Sequence, residues 1–132
     1  MKNYILFLIL TFTTLNVQAK WIIVSSTETS TWSVDMESYK RNGPIIRYWQ
    51  LRNYLEPQSD NEGRTFYLSS KIKVESNCNT DEYKYLAIID YSKNDGSGNI
   101  INSNHYNDNK QYNHLVPGSI AYTVDKFVCN KK

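Results

Sequence analysis

Two cysteines, Cys78 and Cys129, constrain this chain most once they are read with its first nineteen residues. Lys2 supplies a positive start, and Tyr4 to Leu15 is a short apolar run broken only by threonines. Val17-Gln18-Ala19 then sets small residues at the two positions read by signal peptidase. Residues 1–19 are expected to be a secretory signal peptide cleaved after Ala19. The apolar run is about a dozen residues, too short for a membrane span of about 20. Export takes the two thiols into an oxidising compartment, where they are expected to pair. No cysteine follows Ala19, so the lipid-attachment residue of a bacterial lipoprotein is missing and the mature chain is expected to carry no membrane anchor. The expected location is periplasmic or secreted.

Cleavage leaves residues 20–132, enough for one domain with one core. The formal charge of +2 falls to +1 on losing Lys2. A charge so small argues against nucleic acid or an anionic membrane as a partner held by bulk electrostatics. Ten of the eleven tyrosines and all three tryptophans lie after Ala19. These rings suit half-buried sheet positions and binding surfaces alike.

The pattern reads as strand after strand. Trp21–Ser25 is a β-branched run, and Thr31–Asp35 alternates with Trp32 and Val34 on one face. Ser38–Pro44 follows, ending in the turn residues Asn42-Gly43-Pro44. Ile45–Tyr54 carries apolar or aromatic groups on both faces, as a central strand does. Glu56–Arg64 reads as a polar turn, and Thr65–Glu75 as a strand with its apolar residues at even positions. Tyr83–Tyr91 and a weaker Ile100–Asn104 complete the set. Asn94–Asn113, crowded with Asn, Asp, Ser and Gly, reads as turns and solvated loop, or a long hairpin end. Short polar connections predict an antiparallel meander. After Pro117-Gly118, Ser119 is a good N-cap, and Ile120, Val124, Phe127 and Val128 form one helical stripe with Asp125 and Lys126 off it. The expected fold class is α+β: an antiparallel sheet with a C-terminal helix, Ser119 to about Cys129, docked on it. A Cys78–Cys129 bond would tie the helix down by closing a loop of about 51 residues, for roughly 4 kcal/mol in the chain-entropy model.

The order of these marks resembles the surface-adhesin protein E-like domain family of bacterial envelope proteins. The residues that carry the resemblance are Trp21, then Trp49, Leu51 and Tyr54 on an aromatic strand, then Ser69-Ser70-Lys71 leading to Cys78. Asn94-Asp95-Gly96-Ser97-Gly98 follows Tyr91, and Pro117-Gly118-Ser119-Ile120 runs to Val128-Cys129. The resemblance covers Trp21 to Cys129. It implies an antiparallel sheet with a C-terminal helix tied on by the disulfide, and adhesion to host extracellular-matrix proteins.

No catalytic or metal-binding constellation is visible. His105 and His114, with Asp108 between them, match no metal-ligand spacing and read as solvated loop residues. Glu75, Arg64, Lys71 and His105 hold the residue types of a ribonuclease site without a spacing that requires one. Glu56, Asp60 and Glu62 read as solvent-facing rather than as a glycosidase pair. No phosphate loop, nucleophile elbow or zinc motif is present, so no cofactor and no enzymatic activity are expected. The binding candidates are Arg47, Tyr48, Arg52 and Tyr54 on the most aromatic strand, since Arg beside Tyr is common at interface hot spots. In strand phase Arg47 shares a face with Trp49, and Arg52 with Tyr48 and Tyr54. Packing with the guanidinium reaching to water is the structural alternative. The expected function is binding of a protein partner, with a soluble periplasmic accessory or inhibitor and a small secreted hydrolase as alternatives. Oligomeric state, including a homodimer, stays open.

Overall fold

A computed structural model describes residues 19–60 and 62–131. The expected signal peptide therefore lies, apart from Ala19, outside the described residues. The elements are β1 (Trp21–Ser26), β2 (Ser30–Asn42), β3 (Ile45–Ser59), β4 (Phe66–Asn77), β5 (Glu82–Lys93), β6 (Ser97–His105), β7 (Asn113–His114) and α1 (Ile120–Cys129). The strands form one antiparallel sheet in the order β1 to β6. The two-residue β7 pairs with the start of β5, beyond the end of β6. The meander and the terminal helix match the sequence pattern.

Three boundaries differ from that pattern, each for a reason of register. The run at Thr31–Asp35 and the next run, from Ser38 as far as Asn42, belong to one strand, β2, interrupted by a bulge in which Met36–Tyr39 stand opposite Tyr48 alone. Glu56–Ser59, read as turn, extends β3 beyond a second bulge in which Tyr54–Pro57 stand opposite Leu68. Polar residues there prolong an exposed strand, because pairing with β4 needs only backbone. Part of the Asn-rich stretch, Ser97–His105, is strand on the same logic.

Both bulges are filled by side chains that replace the missing ladder bonds. Ser38 Oγ donates to the Asp35 carbonyl at 2.8 Å and accepts from the Trp49 amide at 2.9 Å. Asn94 Nδ2 donates to the carbonyls of Tyr54, at 3.1 Å, and Leu68, at 3.0 Å. Buried or strained backbone groups are thus satisfied, so the bulges are built features of the fold.

One face of the sheet packs against α1. Val34, Ile46, Tyr48, Ile72 and Val74 from the strands meet Val124 and Val128 from the helix, all buried. Fully burying each valine contributes about 1.5–3 kcal/mol, which holds a helix too short to be stable alone. Ser119 caps it, its Oγ accepting from the Tyr122 amide at 3.1 Å. Arg41 on β2 meets the other end, donating to the Cys129 carbonyl at 2.6 Å. A cation at this terminus also complements the helix dipole. Cys78, just past β4, is bonded to Cys129 with Cα atoms 5.7 Å apart. One residue departs from the helical stripe as read from sequence: Asp125, placed off it, is only 1 % exposed. It follows Val124 directly and lies one turn after Ala121, and the helix is rotated enough to bring its carboxyl to Ser76 of β4.

Candidate binding groove

β3 passes through the middle of the sheet, so its alternate side chains serve opposite faces. The four binding candidates from sequence therefore separate. Tyr48 is 3 % exposed and belongs to the core under α1, which corrects its reading as a contact residue. Burial pushes its phenol far above the ordinary range, with the nearby Asp125 carboxyl adding to the shift.

Arg52 lies on the same face as Tyr48, but its fork is already occupied. The guanidinium carbon sits 3.8 Å from the Trp32 ring centroid and 5.5 Å from that of Tyr85. Its Nη2 donates to Tyr85 Oη at 2.8 Å. With the Gln50 amide oriented oxygen-inward, Arg52 also donates to it at 2.8 Å. Tyr54 is half-buried, edge-on to Tyr67 at 5.9 Å, and lines a separate groove of about 290 Å³ with Thr27, Thr29, Asn53, Leu55 and Asn94.

Arg47 points to the opposite face, which no helix covers, and there it anchors a buried charge cluster. Its Nε donates to Glu75 Oε2 at 2.5 Å, and its Nη2 is 3.5 Å from Asp108 Oδ1. Lys84 Nζ lies 3.4 Å from Glu75 Oε1 and donates to the Asp108 carbonyl at 2.6 Å. Tyr112 Oη donates to Glu75 Oε1. The loop between β6 and β7 is thereby strapped across the sheet face, leaving Glu75 4 % and Lys84 6 % exposed. Burial works against the Glu75 charge. The bonds from Tyr112 and Arg47, with the charges of Arg47 and Lys84, outweigh it and hold the carboxyl below the usual range. Burial and the bond to Glu75 push the Tyr112 phenol up to about 12. Arg47 is held more firmly charged, first by its bond to Glu75.

Beside this cluster lies a groove made by the β2 bulge. Opposite the bulge of Met36–Tyr39 lies a hollow of about 400 Å³ lined by Glu37, Ser38, Lys40, Arg47, Tyr48, Trp49 and Lys73. A second hollow of about 470 Å³, lined by Lys40, Arg41, Asn42, Ile45, Arg47 and Glu75, continues it, sharing Lys40 and Arg47. Sequence reading named Arg47 as a site residue, set Trp49 on its face without naming it, and missed Lys40, Lys73, Lys84 and Tyr112. The even apolar phase of β4 carried the one available signal, since it placed Lys71, Lys73 and Glu75 together on the other face.

The remaining chemical candidates have separate partners. Arg64 pairs with Glu62 at 2.8 Å in the β3–β4 turn. Lys71 packs under Gly96, where φ is +62° and a Cβ would stand 2.2 Å from Lys71 Cε. His105 contacts Ser103 at 3.4 Å, and His114 lies 3.5 Å from Glu82. Asp60 takes the Thr65 hydroxyl and the amides of Arg64 and Glu62, and these hold its carboxyl low. Among the described residues no three His, Cys, Asp or Glu side chains are grouped to hold a metal ion. No helix of the described residues is long and apolar enough to cross a membrane.

The same architecture recurs in solved structures. Protein E of Haemophilus influenzae superposes with a TM-score of 0.59 at 16 % identity, over 86 % of this chain and 86 % of that one. A second crystal form of that protein gives 0.62 at 16 % identity, over 86 % and 90 %. Protein E from a non-typeable strain gives 0.58 at 16 % identity, over 87 % and 78 %. At this identity the likeness speaks for the fold. No curated protein matches the chain. The family model of surface-adhesin protein E matches residues 21–130, nearly the whole of the described domain. The chain therefore belongs to the surface-adhesin protein E family.

Proposed function

We propose that the chain is exported, cleaved after Ala19, and acts as a protein-binding module whose contact surface is the helix-free face of the sheet. Binding to host extracellular-matrix proteins is the form of this activity that the family name favours. Catalysis is no part of the proposal: Glu75, Arg47, Lys84 and Tyr112 of the open face are bonded to one another. The observation that carries the reading is the groove of Arg47, Trp49 and Lys73. It sets an indole and cations side by side on a rigid strand, as interface anchors are set. Arg47 is kept from the sequence-derived set. Arg52 becomes a residue that stiffens the core side of β3.

The test is capture by immobilised residues 20–132, from envelope extract and from a panel of purified matrix proteins, read by mass spectrometry. A discrete captured protein, lost with Trp49→Ala and retained with Arg52→Lys, is the expected result. Capture that ignores Trp49, or that fails with every source, would sink the reading. N-terminal sequencing of the exported protein is expected to begin at Lys20, and a retained Met1 would refute the cleavage.

A further inference from the structure

The groove beside the β2 bulge has an electrostatic arrangement that folding alone does not explain. Lys40 stands directly opposite Arg47 in the β2–β3 register, and like charges so placed repel. Arg47 is answered by Glu75 and Asp108. Among the described residues, Lys40 and Lys73 have no carboxylate within 4.0 Å. Trp49 lies opposite Lys73 on the adjoining strand, so an indole floor separates the two free ammonium groups. On this face the two continuous hollows hold Lys40, Arg47 and Lys73 against Glu37 and Glu75, a formal +1, while the Arg41 guanidinium is turned to the Cys129 carbonyl. The chain after Ala19 carries only +1 in total. The net positive charge of the domain is thus found here, and the charges of the rest of the chain balance.

We propose, building on the protein-binding reading above, that this groove receives an extended, acidic segment of a partner protein. From Ile45 to Trp49 the floor runs about 13 Å at a strand's rise, room for about four residues of extended chain. A carboxylate at one end meets Lys73 and one at the other meets Lys40, with an apolar side chain between them on Trp49. Binding relieves the Lys40–Arg47 repulsion, so the protein itself favours an anion at this place. Ser38, bonded on both sides of the bulge, keeps the hollow open before the segment arrives. That lowers the ordering cost of binding.

The experiment uses residues 20–132 and a fluorescein-labelled hexaglutamate peptide, read by fluorescence anisotropy, with hexaglutamine as the neutral control. Hexaglutamate is expected to bind and hexaglutamine not to bind. Affinity is expected to fall at least about tenfold between about 0.05 M and about 0.5 M NaCl, as screening dictates. Lys40→Glu with Lys73→Glu is expected to cost at least about tenfold, while Lys93→Glu, at the far end of β5, leaves affinity within about twofold. These lysines make no ion pairs, and circular dichroism confirms that each variant is folded. Absence of hexaglutamate binding at low salt, or an equal loss with Lys93→Glu, overturns the proposal. Displacement by a heparin fragment at concentrations far below those of hexaglutamate also overturns it, in favour of a sulfated glycan. A partner captured through Trp49 without any response to Lys40 and Lys73 refutes the acidic ligand alone and leaves the protein-binding reading standing.

Discussion

Asp125 Oδ2 lies 3.6 Å from Cys129 Sγ, one helical turn away, and its other oxygen has no hydrogen-bond partner. A disulfide sulfur carries no proton to donate, so this buried carboxylate is left nearly unanswered. Burial pushes the Asp125 carboxyl up and Asp81 adds to the shift, against the opposing pull of the Ser76 hydroxyl and the Lys126 charge. Tyr48, Ser76 and Lys126 are the other polar groups around it, with Lys126 turned outward to Asp81.

The sign follows directly. A raised pKa means that stability from this group is fully present below the unfolded value of about 3.9 and is lost as pH rises through the folded one. Asp125→Asn is therefore expected to stabilise the protein at pH 7 by about 1 kcal/mol, with little gain near pH 4. Urea unfolding at both pH values, with the disulfide intact, measures it. A destabilised variant at neutral pH would show that the carboxylate has a partner after all.

Glu75 is expected to act in the opposite sense. Its lowered pKa gives stability that is present above the unfolded value of about 4.3 and lost as pH falls through the folded one. Tyr112→Phe removes one of the groups that hold it low, so the acid limb of the unfolding profile should move to higher pH. The loss of one hydrogen bond to a charged group costs about 1.5–3 kcal/mol. Amides of the β6–β7 loop should exchange faster in the variant, and an unchanged acid limb would contradict the role of Tyr112.

Cys129→Ser is expected to cost about 2–5 kcal/mol. Hydrogen exchange should show α1 losing protection first, before any strand. Loss of protection spread evenly across the sheet would mean that the bond does more than pin the helix.

Arg52→Ala is expected to lower stability by about 1–3 kcal/mol, since it removes a cation stacked on Trp32 and a hydrogen bond to Tyr85. Arg52→Lys should recover little, because an ammonium keeps the charge without the planar fork. Thermal unfolding of both variants decides it. Full rescue by lysine would reduce the role of Arg52 to charge alone.

The strand order, the disulfide and the capped helix were legible because each rests on local pattern: alternation, two cysteines behind a leader-like apolar run, and Ser119 ahead of an apolar stripe. The bulges were not. Met36 and Glu37 read as a gap between two runs, since nothing local says that Met36–Tyr39 will face Tyr48 alone. Asp125 was misplaced because one position on a helical wheel is a rotation of about 100°, and the docking angle depends on the sheet. The charge cluster was hidden for a similar reason. Glu75, Lys84 and Tyr112 become neighbours only when a loop of asparagines and charged residues folds back over β4 and β5. Arg47 was found by its strand and Arg52 by the same rule, and only register could tell which of them the aromatic core would claim.

The disulfide joins Cys78 to Cys129 across 51 positions, a span that includes β5, β6, β7 and α1. A protease that cuts the exposed Asn-rich loop leaves both fragments on one covalent frame, whereas a cut in the β1–β2 turn does not. A nick in that loop is thus an opening in the chain rather than a severance.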